Sequence, residues 1–134
     1  MAGNIRLEIV TPSTDVVNEE AQIVMAPGSL GEFGVLEGHT PFMTALKTGD
    51  VRYTDANGQE RHVFVSGGFA EALPDKVTVL AESAERRRDI DLDRAQTALT
   101  RAEKRLAEGD NTLDVIRAKA ALARARMRVE MAKK

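Results

Sequence analysis

The sequence predicts a β + α fold: an N-terminal β-sandwich over residues 1–85, followed by a C-terminal antiparallel two-helix hairpin over residues 86–134. Three observations lead there. All four prolines, nine of the ten glycines and all five aromatic side chains lie before residue 75, while the remainder is alanine-rich with a single glycine, Gly109. The spacing of apolar residues changes from two to alternating threes and fours near residue 90. The charge divides at the same place. Residues 1–85 carry five basic side chains (Arg6, Lys47, Arg52, Arg61, Lys76) against thirteen acidic ones, a balance of −8, and residues 86–134 carry fourteen against eight, a balance of +6. Such asymmetry points to different neighbours for the two parts.

The strands follow from alternation. In "IRLEIV", Ile5, Leu7 and Ile9 alternate with Arg6 and Glu8, the period of a half-buried strand. "DVRYTDANGQERHVFV" reads as a hairpin, with Val51 and Tyr53 leading in, Asn57-Gly58 at the turn, and Val63 and Val65 leading out. "DKVTVLAE" alternates again, placing Val77, Val79 and Ala81 on one face. Short strands separated by frequent turn residues are the pattern of a sandwich.

The tail changes period. Leu92, Ala95, Leu99, Ala102 and Leu106 form one stripe of a helix. "EGDN" interrupts it, with Gly109 suited to a C-terminal cap and Asp110 or Asn111 to the next N-cap. A second helix carries Leu113, Ile116, Ala120, Ala123 and Met127 on the face expected to meet the first. Val115, Leu122 and Val129 form another stripe more than about 100° away, which calls for a second supporting surface.

Several chemistries are disfavoured. With no cysteine, neither a disulfide nor a thiolate metal site can form. His39 and His62 lack metal-ligand spacing, so no metal site is expected. The glycine-rich "APGSLGEFGVLEGHTPF" does not carry the glycine-lysine-hydroxyl pattern that ends a phosphate loop, and "FVSGGF" holds Ser66 without a nucleophile elbow. No catalytic residue is therefore expected. The opening residues carry no signal-peptide pattern, and no run approaches the roughly 18 apolar residues of a membrane span. A nucleic-acid adaptor is disfavoured because the basic tail has no aromatic to stack on bases and its charges interleave with acids.

Two arginine rows stand out within the tail. Arg94 and Arg101 align within about 20° on the first helix, and Arg117, Arg124 and Arg128 within about 40° on the second. Facing one another, they would border a groove sized for a polyanion. The stretch "RRRDIDLDRAQTAL" admits two readings. Asp89 or Asp91 can cap a helix, where an acid is favoured by the dipole, or Asp91 and Arg94 can contact a ligand.

"GSLGEFGVLEGHTPFMTALKTG", "FVSGGFAEALPDKVTVLAESAE" and "DIDLDRAQTAL", in this order and spacing, resemble the ε subunit family of F-type ATP synthases, and the resemblance covers essentially the whole chain. It implies a non-catalytic central-stalk (rotor) subunit. The sandwich would bind the γ subunit and the c ring, with Glu32 and His39 matching loop residues at the ring end. The hairpin would fold back, or extend into the α/β catalytic head and inhibit ATP hydrolysis, with Arg117, Arg124, Arg126 and Arg128 as contacts to β. Some family members bind ATP through Ile/Leu-Asp-x-x-Arg-Ala, matched by Ile90, Asp91, Arg94 and Ala95, with Glu85, Arg101, Arg124 and Arg128 at further contact positions. No cofactor is required on this reading. ATP enters as a regulatory ligand whose magnesium dependence the sequence leaves open.

The implied location is the cytoplasmic side of a bacterial inner membrane, peripheral and held through the complex, with no nucleic-acid partner. The alternative is a free-standing nucleotide-sensing module outside the synthase.

Overall fold

The computed structural model describes residues 3–109 and 112–134, with side chains from residue 115 onward in the second segment. Among these are nine strands: β1 (Ile5–Val10), β2 (Asp15–Gly28), β3 (Gly31–Val35), β4 (Phe42–Ala45), β5 (Gly49–Asp55), β6 (Glu60–Ser66), β7 (Phe69–Leu73), β8 (Lys76–Leu80) and β9 (Ser83–Arg86). A 3-10 turn, Arg87–Asp89, leads into the helices α1 (Leu92–Glu108) and α2 (Thr112–Ala132). The chain divides into two compact units between Arg86 and Arg87.

The first unit is the expected sandwich, built from one continuous sheet in the order β4-β7-β8-β1-β2-β5-β6-β9, with β3 also on β2. The 14-residue β2 makes this possible. Its first half pairs with β1, its second half with β3, and Ala21–Met25 with β5 across a register shift between Ala21 and Ile23. A bulge of that kind bends and twists a strand, letting one strand serve both layers. The alternating positions close the core. Ile5, Leu7 and Ile9 on β1, Val77 and Val79 on β8, Val51 on β5 and Val63 and Val65 on β6 are fully buried. At about 25 cal/mol per Å2 of apolar surface removed from water, such side chains contribute roughly 1.5–3 kcal/mol each.

The expected β5–β6 hairpin forms, with Val51 opposite Val63 and Tyr53 opposite Arg61, one residue off the register that a two-residue Asn57-Gly58 turn would give. Its turn is closed by the Asp55 carboxylate, whose Oδ1 accepts from the Asn57 and Gln59 amides, while Arg61 Nε donates to Oδ2. The Gln59 amide most strongly, then Arg61 and the Asn57 amide, holds this carboxyl below the usual range against the opposing effect of burial. Gly58 takes the left-handed conformation at φ 84°, whereas Asn57 does not, so the loop is a glycine-terminated bulge rather than a two-residue primed turn.

In the second unit, α1 buries the expected stripe: Ala95 and Ala102 are covered, and Leu92, Leu99 and Leu106 are half-buried. Gly109 caps its end at φ 55°, with its amide donating to the Arg105 carbonyl. Such a short connection to α2 turns the chain back alongside α1, giving the antiparallel pair. The face of α2 is corrected. Ile116 is 61% exposed, and Ala120 and Ala123 are also exposed. The covered stripe is Ala118, Ala125 and Val129, flanked by half-buried Val115 and Leu122. Apolar residues run nearly all the way around α2, so periodicity alone does not choose a face, and the smallest side chains take the closest approach. Asp110, Asn111 and the Leu113 side chain, named above as cap and stripe residues, lie outside the described residues.

Candidate functional site

The start of α1 carries the residues expected to meet a nucleotide. Asp91 is the N-cap: its backbone is extended, and its Oδ1 accepts from the Arg94 amide at 3.1 Å. Of the two aspartates considered for this role, Asp91 takes it because Asp89 closes the preceding 3-10 turn. Arg94 and Arg101 are exposed, Ile90 is half-buried, and Ala95 is covered within the apolar stripe. An open groove of about 640 Å3 runs along the polar side of α1, lined by Asp93, Gln96, Thr97, Thr100, Arg101 and Lys104. Arg124 and Arg128 are half-buried on α2, and Glu85 belongs to β9 in the first unit, opposite Phe64. Among these residues, the bond from the Arg94 amide to Asp91 gives the motif a structural role of its own.

The four arginines expected to contact β do not form one surface. At 100° per residue, Arg117, Arg124 and Arg128 share a row, while Arg126 points about 180° away and is exposed.

Glu32 lies on β3, and His39 in the connection that leads from β3 to β4. Glu32 accepts from Arg52 Nη2 at 2.8 Å, across from β5. The His39 ring donates from Nδ1 to the Thr40 carbonyl at 2.6 Å and meets Phe42 edge-on with centroids 5.0 Å apart, and Phe42 in turn meets Phe33 at 5.1 Å. Edge-to-face rings tie β3, β4 and the connection between them together. At the β2–β3 turn beside them, Leu30 is 99% exposed. His62 lies between two carboxylates, with Nδ1 2.7 Å from Asp50 and Nε2 3.0 Å from Glu60.

Two features escaped the sequence. The first is a row of apolar side chains on the outer face of the sandwich. Ala45 stands opposite Phe69, Phe69 opposite Leu80, and Leu80 opposite Val10, so four neighbouring strands present apolar side chains at one level. Phe69 and Leu80 are each 56% exposed, and Met43, two residues from Ala45, extends the patch on the same face. At about 4.8 Å between strands, the row spans roughly 15 Å. Alternation in β7 and β8 could have revealed its members, but their alignment depends on pairings between strands distant in sequence.

The second is a polar cluster at the closing edge. The buried Tyr53 hydroxyl donates to Glu19 Oε1 at 2.5 Å and accepts from Arg86 Nη1 at 3.2 Å. Arg86 also donates from Nε to the Val16 carbonyl at 3.2 Å and lies 3.6 Å from Glu19 Oε2. Burial, then the hydrogen bond to Glu19 and its charge, push the Tyr53 hydroxyl up to about 12, against the opposing effect of Arg86.

Among the described residues, no group of three potential ligands is placed to hold a metal ion, and no helix is long and apolar enough to cross a membrane. The class the fold defines is a two-part protein, a β-sandwich carrying a pair of long helices. Comparison with known proteins sharpens this. The model of the ATP synthase delta/epsilon chain β-sandwich domain matches residues 4–87, and that of the long α-helix domain of the same chain matches residues 88–133. The ATP synthase epsilon chain of Desulforapulum autotrophicum is 64% identical over 116 residues, covering 87% of this chain and 86% of that one. That of Syntrophobacter fumaroxidans is 52% identical over 135 residues, covering 100% and 99%. A chain in the Euglena gracilis mitochondrial ATP synthase, solved as an OSCP, F1 and c-ring assembly, shares the fold with a TM-score of 0.83 at 22% identity, over 98% of this chain and 82% of that one. The chain belongs to the ATP synthase delta/epsilon chain family, and as an epsilon-type chain it is a non-catalytic subunit.

Proposed function

We propose that the chain works as a central-stalk subunit of an F-type ATP synthase. In this reading the sandwich docks on the γ subunit and the c ring, with Glu32 and His39 at the ring end, and couples proton flow to rotation. The helical pair folds back or extends toward the α/β head, where Arg117, Arg124 and Arg128 meet acidic segments of β and restrain ATP hydrolysis. Arg126, on the other side of α2, contacts a different surface. The complex holds the chain peripherally at the cytoplasmic side of a bacterial inner membrane.

The observation that carries the reading is the apolar row of the exposed Ala45, Phe69 and Leu80 with the half-buried Val10. A contiguous apolar patch of this kind marks a protein interface. It occurs on a chain that epsilon chains match along its length. The division into an acidic sandwich and a basic helical pair supports separate partners for the two units.

ATP acts on this reading as a regulatory ligand, through Glu85, Ile90, Asp91, Arg94, Ala95, Arg101, Arg124 and Arg128. Exposed guanidiniums at Arg94 and Arg101 suit phosphate, and Asp91 retains a second carboxylate oxygen besides the one that caps α1. Bound nucleotide would favour the folded pair, since about 1.4 kcal/mol changes a population ratio tenfold.

The test is an assembled synthase whose copy of this chain ends after Arg86. It should retain the chain on γ and hydrolyse ATP faster than the intact complex. An unchanged rate would remove the inhibitory role. Titration of the full chain with ATP, with and without magnesium, followed on α1 and α2 amides, tests the nucleotide role. Absence of saturable shifts at millimolar ATP would leave Asp91 as a helix cap alone.

A further inference from the structure

We infer that Glu71 decides which partner the apolar row accepts: the surface that covers Phe69 and Leu80 must bring a lysine or arginine to this carboxylate. The inference rests on the proposed docking of the sandwich on γ and deepens it by naming the chemistry of the γ surface.

Strand pairing lays out the outer face in levels. Next to the row of Ala45, Phe69, Leu80 and Val10 runs a second level of Met43, Glu71, Thr78 and Glu8. Beyond it lies a third, of Leu73, Lys76, Arg6 and Glu20. Residues two apart on a strand share a face and stand about 6.8 Å apart, so Glu71 lies that far from Phe69. The other charges of these levels are paired with one another. Lys76 Nζ lies 3.3 Å from Glu8 Oε2 and Arg6 Nη2 lies 3.2 Å from Glu20 Oε1, while Arg6 Nη1 donates to Asn18 at 3.3 Å. Among the described residues, the Glu71 carboxylate has neither an ion-pair nor a hydrogen-bond partner. It is exposed, flanked across the strands by Met43 and Thr78 and along its own strand by Phe69 and Leu73.

A carboxylate in that setting is harmless in water and costly once covered. A partner seated on the row strips water from its surroundings, and a charge desolvated without a counter-charge opposes binding. A cation placed against Glu71 offsets this through a charge-assisted hydrogen bond, forked where the partner uses arginine. Purely apolar or acidic surfaces are thereby refused and a basic one retained.

The charge of the unit points the same way. Residues 1–85 balance at −8, so a second copy of the sandwich would meet this face with like charge, whereas a basic surface is drawn to it. The occupant is a γ surface with an apolar contact and, about 6–7 Å beside it, a lysine or arginine. Positions i and i+4 of a helix, or i and i+2 of a strand, meet that spacing.

Dissociation of the full chain from an assembly of α, β and γ tests this, comparing the intact sequence with Glu71→Gln, Glu71→Lys and Leu80→Glu. Glu71→Gln should speed dissociation about tenfold and flatten its dependence on salt, and Glu71→Lys should speed it on the order of a hundredfold. Neither change should move the Tm of the free chain, because the side chain is exposed. Changing one lysine or arginine of γ to glutamate should restore binding of the Glu71→Lys chain. Faster dissociation of Leu80→Glu alone, with both Glu71 variants binding normally, would overturn the role of Glu71 and leave the docking of the row intact. Normal binding of all three variants would remove the row as the γ surface and the inference with it. Self-association of the free chain in sedimentation, abolished by Leu80→Glu, would give the row to a second copy and overturn the basic partner.

Discussion

Tyr53 and Glu19, 34 residues apart, share a 2.5 Å hydrogen bond beneath the guanidinium of Arg86, and the hydroxyl is held up to about 12. Because the folded state binds this proton more tightly than the unfolded chain does, its stabilising contribution is complete below about pH 10 and is lost as pH rises toward about 12. The loss should be on the order of 2 kcal/mol. Tyr53 is the chain's single tyrosine, so phenolate absorbance reports on it directly. The folded protein should titrate near 12 and the urea-unfolded chain near its ordinary value, while Tyr53→Phe should show a flatter decline of Tm over the same alkaline range. A phenolate midpoint unchanged by unfolding would refute the assignment.

The cap at Asp91 makes a prediction that is independent of any ligand. Asp91→Ala should weaken α1 by about 1 kcal/mol, whereas Asp91→Asn, which can still accept from the Arg94 amide, should cost only a few tenths. Thermal melts followed by helical circular dichroism would measure both. Equal losses in the two variants would mean that the carboxylate charge matters more than the cap.

Gly68 is required by close approach. It stands at φ 104° just ahead of β7, and a Cβ there would run into the Leu80 carbonyl oxygen and the Ala81 backbone at the end of β8. Gly68→Ala should lower stability by at least about 2–3 kcal/mol, through backbone strain added to the displaced strand end. Urea unfolding of the variant should show a lower midpoint with a similar slope.

The apolar row makes a prediction about binding rather than folding. Leu80 is more than half exposed, so Leu80→Glu should change stability by no more than about 0.5 kcal/mol. The same change, in the middle of the row, should weaken association with the γ subunit at least tenfold. Calorimetric titration of γ would decide, and an undiminished affinity would move the docking surface elsewhere.

Much of the fold was legible because local chemistry determined it. Alternation located β1, β5, β6 and β8, a glycine placed the turn of the β5–β6 hairpin, and the stripe from Leu92 to Leu106 specified α1 with Gly109 at its end. The face of α2 was misjudged because apolar residues surround that helix, and the choice between Ile116 and Ala118 falls to whichever neighbour needs the closest packing. The nucleotide candidates were legible as residue types, while their assembly into one site is not a local property.

By itself the sequence determined the two-part architecture, the divided charge and the capped start of α1, since each follows from residues within a few positions of one another. The tertiary structure alone decided that β2 bridges both layers, that Ala45, Phe69, Leu80 and Val10 line up on one face, and that Arg86 meets Val16, Glu19 and Tyr53. The physical reason is range. Periodicity and capping are encoded in neighbours along the chain, but register between distant strands emerges only when the core closes and brings residues some 70 positions apart into contact.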